Sequence, residues 1–481
     1  MPDIKKQAIS GAQWMFVSTI TTSIVQILRL SILTRFLEKS DFGIVAIMTF
    51  ILGLTFTFTD LGFSSAIMYK QGLNRKEFSS LFWIQLFTFG ILYILLSLCS
   101  PWVSQFYKEP SISILMPIAL LDLVLQGIGR LYDTILQKEM LFKQMAFRNI
   151  ISAFISLLIA FILALSGYGI YSLILSTLSQ SAILNGWNFI MGQKHYRINA
   201  YINIKQSTPL MKIGIYQTGT QILDYIASKI DVAIIGKLLG AEDLGIYNLA
   251  KELLYKVIML VNTIINKISL PVFATLQNDR LKLKSYYIKI INLTTTINIP
   301  LLVLMATLSP CIISILYGTD FLDAATVMSI LAIWGISVCI GNPQGSLSIA
   351  TGQTHLSFNY TIVRILITVP IVFITACFST EIIAWGQGVL GFIMLWIGWK
   401  MQIKKIIPLT FKEFLVSFRK NLLFGIVSTL FMLLITNNLL LNTSVINRVI
   451  VFTISFIIVY LILFLTIGKE ELYKIKSLIT K

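Results

Sequence analysis

Charge is scarce in this chain. Charged residues make up only 12% of its 481 residues, whereas a soluble domain carries about a quarter. A chain of this length would ordinarily form two or three soluble domains, whose exposed faces need far more charge. The composition therefore argues against a soluble enzyme. Its 56% hydrophobic content and mean hydropathy of +0.83 indicate a membrane protein instead.

Cysteine and histidine are also rare, with four and two copies. The cysteines are scattered in or beside apolar runs without paired spacing, and the histidines lie far apart, at His195 and His355. This pattern supports neither a metal site nor a disulfide framework. We interpret the cysteines as small buried apolar residues and expect no metal and no cofactor.

Acidic residues are outnumbered, 21 against 38 basic ones. No RNA- or DNA-binding motif accompanies the basic excess, so we expect no nucleic-acid partner. In an apolar chain such an excess is typical of cytoplasmic loops, which are enriched in Lys and Arg. The N-terminus has two lysines before its apolar run but no convincing cleavage site, which favours a retained first helix.

Long apolar runs are what the chain does have. A helix needs about 20 apolar residues to cross the hydrocarbon core, and fourteen such spans are predicted. They lie near residues 11–36, 42–67, 79–103, 112–136, 147–166, 168–191, 210–236, 243–270, 290–317, 322–350, 357–378, 381–402, 418–438 and 446–467. The short junctions "SGYG" and "FSTE" separate the fifth span from the sixth and the eleventh from the twelfth.

The basic residues test this count independently. Counted from an inside N-terminus, the inward segments hold the Lys/Arg clusters near 5–6, 70–76, 138–148, 194–212, 280–289, 400–420 and 469 onwards. The outward segments hold only Arg35, Lys39, Lys108, Lys237 and Arg448. This alternation predicts a multi-pass protein with both termini in the cytoplasm.

One segment of the chain is repeated. "RLSILTRFLEKSDFGIVAIM" at 29–48 and "DVAIIGKLLGAEDLGIYNLA" at 231–250 align at an offset of 202 and share Asp-x-Gly-Ile after a basic residue. The copies begin in the first and seventh spans, so each unit has six helices and the same topology, as in parallel-repeat transporters. We therefore predict an all-α protein with two pseudo-symmetric six-helix lobes. Their bounds are 1–191 and 210–402, joined by a cytoplasmic linker at 192–209 and followed by two additional helices and a tail at 403–481.

These segments carry a family resemblance. The second copy, followed by "ISLPVFATLQNDRLKLKSYY", together with "TDLGFSSAIMYK", "LQKEMLFK" and "ATGQ", resembles the polysaccharide/O-antigen flippases of the multidrug/oligosaccharidyl-lipid/polysaccharide exporter superfamily. The resemblance covers essentially the whole chain. It implies translocation of an undecaprenyl-diphosphate-linked oligosaccharide across the bacterial cytoplasmic membrane by alternating access. The transported units would be used to build a surface polysaccharide, namely O-antigen, capsule or exopolysaccharide. The implied partners are this lipid-linked substrate, membrane lipids and a polysaccharide polymerase machinery, with the protein itself a monomer.

Charges within spans are costly, and they are functional candidates by default. In the first helix Thr22, Gln26 and Arg29 step by four and three residues and share one face. Arginine suits a lipid diphosphate because its planar guanidinium can bond two phosphate oxygens at once. We therefore predict that this stripe binds substrate, with Arg29 on the phosphate. The alternative for Arg29 is an ion pair with an acid of the other lobe.

The repeat offset places a second stripe in the seventh helix, at Asp224, Ser228 and Asp231. We expect this stripe to face the first across a central cleft. The two acids, together with Asp60 at the end of the second helix, are candidates for ion coupling or for pairing between the lobes. Whether a coupling ion is Na⁺ or H⁺ stays open, and Asp60 is equally a structural cap.

Three further cations are predicted to bind substrate. Arg364, in the eleventh span, is predicted together with Arg29 to bind the phosphate, and the alternative for Arg364 is snorkelling to the interface. Lys251 and Lys256 lie in the eighth span, and Glu252 could neutralise Lys256 from the same helix face.

Two rival functions stay open. A drug or cation exporter of the same superfamily would favour an acidic cavity, which Asp224 and Asp231 could supply. A membrane glycosyltransferase or polymerase would need large loops or a catalytic acid cluster, and the longest loops here are short and Lys-rich. Nothing resembles a phosphate-gripping Gly-rich loop, so direct ATP use is not expected. A transporter without bond chemistry is the favoured prediction.

Overall fold

The computed structural model describes residues 2–59, 63–69, 74–439 and 445–468, and within these ranges all regular structure is helical. The first nine helices are α1 Pro2–Leu33, α2 Lys39–Thr59, α3 Phe63–Tyr69, α4 Arg75–Tyr107, α5 Ile112–Lys138, α6 Phe142–Leu165, α7 Tyr171–Gly192, α8 Ile204–Leu238 and α9 Ala241–Thr275. The others are α10 Arg280–Thr307, α11 Ser309–Leu316, α12 Asp323–Ala350, α13 Thr354–Thr375, α14 Thr380–Gly398, α15 Lys404–Ile406, α16 Phe411–Leu439 and α17 Val445–Thr466. The predicted all-α polytopic architecture is confirmed.

Every predicted span contains a helix, and both short junctions are true breaks. Gly167 and Gly169 adopt positive φ between α6 and α7, a conformation that glycine adopts without steric cost. Ser379 caps α14 by accepting a hydrogen bond from the amide of Ile382. The predicted ninth span, however, is two helices, because α11 starts at Ser309 with Pro310 in its first turn. Proline is favoured in the first turn of a helix, although Pro300 also lies inside α10.

Twelve helices in the described ranges are long and apolar enough to cross a membrane. The predicted count of fourteen is therefore not confirmed. The sixth and seventh predicted spans correspond to α7 and α8, which fall outside the twelve. Both are full-length helices, but α7 is rich in Ser, Gln and Asn, and α8 carries Lys and Asp along its length. Because of these polar residues, neither helix is apolar enough to be counted as a membrane span from its length and composition.

The chain forms two compact units, Met1–Gly245 and Ile246–Lys481. The lobe bounds that we derived from the repeat, 1–191 and 210–402, stay a prediction, because the boundary between two compact units need not coincide with the start of a sequence repeat. In the first unit, α5 packs against α4 and α7, α6 packs against α1 and α7, and α2 packs against α8. A buried aromatic cluster that includes Phe78, Phe82 and Tyr132 holds α3, α4 and α5 together.

In the second unit, α12 packs against α10 and α14, and α16 packs against α10 and α17. Buried amides reinforce the α10–α16 contact, where Asn421 Nδ2 donates to Thr295 Oγ1 at 2.8 Å. Polar side chains of this kind are common links between membrane helices. Tyr460 stacks between Phe456 and Phe464 on α17. The last two helices are thus packed onto the second unit.

The repeated Asp-x-Gly-Ile motif has a structural role in the first unit. A Cβ placed on Gly43 would lie 1.8 Å from the carbonyl oxygen of Ala241, and one on Gly245 would lie 2.0 Å from that of Lys39. Lys39 and Ala241 are the first residues of α2 and α9 and are themselves related by the offset of 202. The contact is therefore reciprocal, as a local two-fold relation requires.

Candidate functional site

A polar cavity of about 410 Å³ lies in the first unit, among α5, α6 and α7. Among the lining residues that the structure describes, Leu184 alone is apolar. The other eleven are Asp122, Gln126, Arg130, Asp133, Arg148, Asn149, Thr177, Gln180, Ser181, Asn185 and Asn188. Small-molecule sites typically measure about 300–1,000 Å³. So polar a space among apolar helices is a candidate binding site.

One face of α5 supplies four of these residues. Asp122, Gln126, Arg130 and Asp133 follow each other at spacings of four, four and three, which places them on one side of the helix. Gln126 Nε2 donates to Asp122 Oδ2 at 2.6 Å. The guanidinium of Arg130 lies over the ring of Phe56 at 4.7 Å, a cation–π arrangement.

The cavity contains a buried ion pair. Arg148 on α6 is 3% exposed and donates from Nη2 to Asp133 Oδ1 at 2.8 Å. Its Nε donates to the neighbouring Asn149 Oδ1 at 3.2 Å. The described residues of the lining include two acids and two arginines, so their formal charges balance.

The third wall is α7, which contributes Thr177, Ser181, Asn185 and Asn188 from one face. Asn185 Nδ2 is bonded within α7, to the carbonyl oxygen of Ser181 at 2.9 Å. The wall comes close to α5 because Gly129 has no side chain: a Cβ there would lie 2.6 Å from Asn185 Cα. Any larger residue would push α5 and α7 apart.

Several buried polar atoms in this lining have no hydrogen-bond partner within the described part of the chain. They are Asp122 Oδ1, Arg148 Nη1 and both amide atoms of Asn188. Asn188 is 0% exposed. An unsatisfied buried polar group costs about 1–3 kcal/mol, so such a group usually indicates a missing water, ion or ligand.

Arg29 lies beside this cavity. Its Nη1 donates to Ser156 Oγ on α6 at 2.8 Å, and Ser156 in turn donates to the carbonyl oxygen of Ser176 on α7 at 2.7 Å. Its Nε is buried and has no hydrogen-bond partner in the described ranges. The neighbour of Ser176, Thr177, lines the cavity. The structure thus brings the predicted phosphate-binding arginine to the α6–α7 contact.

The other residues of the first stripe differ in their availability. The Thr22 hydroxyl donates back to the carbonyl oxygen of Ser18 at 2.8 Å, so it is occupied within α1. Gln26 is half-buried.

The second stripe, on α8, is split by exposure. Asp224 and Ser228 are exposed, whereas Asp231 is 1% exposed. Asp231 Oδ1 accepts a hydrogen bond from the amide of Val232 at 3.0 Å. The coupling and pairing roles of both acids stay predictions, and Asp60 lies outside the described residues.

The predicted cations of the second unit lie in different environments. Lys251 on α9 is 6% exposed, with its Nζ over the rings of Tyr247 and Trp334 at 5.8 and 5.4 Å. Lys256 is half-buried on the same helix. Arg364 is half-buried ten residues into α13, about 15 Å along its axis.

The cavity residues were not predicted from the sequence, although a signal was present. Asp122, Arg130, Asp133 and Arg148 all lie within the fourth and fifth predicted spans. Their charge and spacing satisfy the rule that selected Arg29. The prediction followed the repeat, which favours residues that have a counterpart in the second half.

Comparisons with solved structures define the class of protein. The fold matches an inward closed conformation of the lipid II flippase MurJ with a TM-score of 0.76 and 16% identity, over 95% of this chain and 99% of that one. An inward-facing multidrug resistance MATE transporter of the MOP superfamily matches with a TM-score of 0.61 and 15% identity, over 81% and 98%. The chain therefore has the fold of the MOP superfamily and is a multi-pass membrane protein.

The sequence comparisons give the family. Residues 32–326, more than half of the chain, match the model of the polysaccharide biosynthesis protein family. The chain belongs to this family. It is 25% identical to the teichuronic acid biosynthesis protein TuaB of Bacillus subtilis, over 74% of each chain. It is also 23% identical to the lipopolysaccharide biosynthesis protein WzxC of Escherichia coli, over 86% of this chain and 84% of that one.

Proposed function

We propose that this protein is a flippase that moves undecaprenyl-diphosphate-linked oligosaccharides from the inner to the outer leaflet of the bacterial cytoplasmic membrane. The observation that carries the proposal is the combination of this family with this fold. Its relatives are named for surface polysaccharide biosynthesis, and one is named a succinoglycan biosynthesis transport protein. The fold is that of a lipid II flippase, whose name also specifies a lipid substrate. The head group would cross by alternating access, while the lipid tail stays in the bilayer.

Arg29 is the proposed diphosphate ligand. A guanidinium in a span is costly unless its charge is compensated, and the group that accepts the hydrogen bond from Arg29 Nη1 is the neutral hydroxyl of Ser156 rather than a carboxylate. A phosphate oxygen would supply the missing negative charge and accept from the unpartnered Nε. Arg364 is the second proposed phosphate ligand, and Lys251 and Lys256 remain proposed secondary contacts.

The rival is a drug or cation exporter, since MATE transporters share the fold. Cationic substrates favour sites with excess negative potential. The cavity of the first unit is instead charge-balanced, which supports the lipid-linked sugar over a cationic drug.

Deletion of the gene in its native host tests the proposal. Surface polysaccharide should be lost and the lipid-linked oligosaccharide should accumulate on the cytoplasmic side, and a plasmid copy of the gene should reverse both effects. Arg29→Ala should fail to do so at equal expression. The matched control is Arg419→Ala, because Arg419 is an exposed arginine of α16 and should complement fully.

Two results would contradict the proposal. One is a deletion strain with normal surface polysaccharide and raised drug sensitivity, which would favour the exporter. The other is a deletion strain that can no longer form a glycosidic bond, with the bond-forming activity restored by adding the purified protein. That result would favour an enzyme.

A further inference from the structure

We infer that the cavity among α5, α6 and α7 binds one sugar residue of the transported oligosaccharide, separately from the diphosphate. The inference rests on the proposed function, and it assigns the sugar-binding part of the substrate to the first unit. It starts from the four unpartnered atoms. Asp122 Oδ1 and Asn188 Oδ1 need hydrogen-bond donors, whereas Arg148 Nη1 and Asn188 Nδ2 need acceptors.

This mixture of donors and acceptors restricts the ligand. A cation would bind the two oxygens and leave both nitrogens without partners. An anion would bind the nitrogens and leave the oxygens unsatisfied. Each hydroxyl of a sugar is both a donor and an acceptor, so a polyhydroxylated ring can pair with both the donors and the acceptors of this lining.

The charge and the size agree with a neutral sugar. Arg148 is already paired with Asp133 at 2.8 Å, and the lining as a whole is charge-balanced. A neutral ligand therefore leaves no net charge buried. The volume of about 410 Å³ is more than ten times the roughly 30 Å³ that one water occupies. The space accommodates a ring with its hydroxyls rather than a single bound ion.

The position of Asn188 indicates a ligand rather than a structural role. Asn188 is 0% exposed and neither amide atom is bonded to the described protein. A leucine, which has the same number of side-chain heavy atoms and the same branch point, would avoid the cost of the unsatisfied amide. Gln85 on α4 offers a matched comparison, because it is also 0% exposed with both amide atoms unpartnered and is not part of the cavity lining.

The test compares two lipids on the purified full-length protein. The probes are undecaprenyl diphosphate and the undecaprenyl-diphosphate oligosaccharide extracted from the native host, with affinities measured by native mass spectrometry. Wild type should bind the glycosylated lipid at least about tenfold more tightly than the bare diphosphate, as one or two hydrogen bonds imply.

Asn188→Leu should remove most of this preference and leave the affinity for the bare lipid diphosphate unchanged. Gln85→Leu should retain the preference. Asp122→Asn is a nearly isosteric second variant, and it should reduce the preference severalfold if Asn188→Leu does not fold.

Each other outcome has a defined meaning. Equal binding of both lipids by wild type would overturn the sugar site. So would a preference that survives both cavity variants, since the cavity would then hold water only. An equal loss in Gln85→Leu would attribute the effect to general disruption and would also overturn the site. Binding of neither lipid by wild type would instead refute the proposed function itself.

Discussion

Adding one methyl group at Gly43 should separate the N-terminal ends of α2 and α9. In Gly43→Ala the new Cβ would lie 1.8 Å from the carbonyl oxygen of Ala241, and it would have to move to at least 3.0 Å. The required displacement is the difference, about 1.2 Å. The partner is backbone, so no side-chain rotation can relieve the clash.

The expected cost follows from this geometry. Overpacking in a well-packed interior typically costs about 1–3 kcal/mol, and a backbone clash belongs at the upper end. For a unit of 150–250 residues each kcal/mol lowers the melting temperature by roughly 2–4 °C. Gly43→Ala should therefore lower it by about 6–12 °C.

Gly245→Ala should have a similar effect, because its Cβ would meet the carbonyl oxygen of Lys39 at 2.0 Å. The double variant should cost less than the sum of the two. Either methyl group alone forces the helices apart, and the separation makes room for the other. Residues in one contact are expected to be non-additive in this way.

The measurement is the apparent melting temperature of the detergent-purified protein. The control is Gly90→Ala, because Gly90 lies in α4 with nothing within 4 Å of its added Cβ. Alanine should stabilise that helix by about 0.5–1 kcal/mol. A Gly43→Ala protein as stable as Gly90→Ala, or strictly additive effects of Gly43→Ala and Gly245→Ala, would refute the close reciprocal contact.

Three further predictions concern the site and the topology. Arg29→Ala should abolish most export while the protein still inserts. Arg29→Lys should retain only part of the export, because lysine keeps the charge but loses the bidentate fork. Full export by either variant would exclude Arg29 as the ligand of the diphosphate. Arg148→Met should destabilise the protein by about 3–5 kcal/mol, because it leaves the Asp133 carboxylate without its ion-pair partner. A second substitution, Asp133→Leu, should recover most of this loss of stability in thermal melts. No recovery would contradict a stabilising ion pair. In a cysteine-free background, an impermeant thiol label should reach Tyr168→Cys, at an exposed loop position, but not Lys194→Cys; the reverse labelling would overturn the predicted orientation.

Most of the helical architecture could be predicted from the sequence. Apolar runs and alternating basic clusters placed a helix at every predicted span, because length and charge determine which segments can cross a bilayer. Two features were less accessible. The break before α11 lies inside a continuous apolar run that contains two prolines. Pro310 lies in the first turn of α11 whereas Pro300 lies inside α10, so proline alone does not locate the break. The polar helix α7 was predicted as the sixth span, but its low hydropathy does not mark it as membrane-spanning, and its place in the fold is known only from its packing against α5 and α6.

The site was predictable only in part. Arg29 was selected by its charge, and the structure places it at the α6–α7 contact. Asp122 and Asp133 carried the same signal on the fourth predicted span. Asn188 carries no charge and was not selected, although it continues a stripe of Thr177, Ser181 and Asn185 on α7. Only the three-dimensional packing shows that both of its amide atoms are buried and unpartnered.

The central claim is that the protein moves a lipid-linked oligosaccharide between leaflets. Its most direct test uses vesicles that contain the purified protein and undecaprenyl-diphosphate oligosaccharide. The measured quantity is the fraction of sugar that an impermeant glycosidase can reach, with a Na⁺ gradient, a proton gradient or a membrane potential imposed in turn. With wild type, the reachable fraction should rise beyond the outer-leaflet share, and Arg29→Ala should abolish the rise. A reachable fraction that stays equal to that of protein-free vesicles under every imposed gradient would contradict the account.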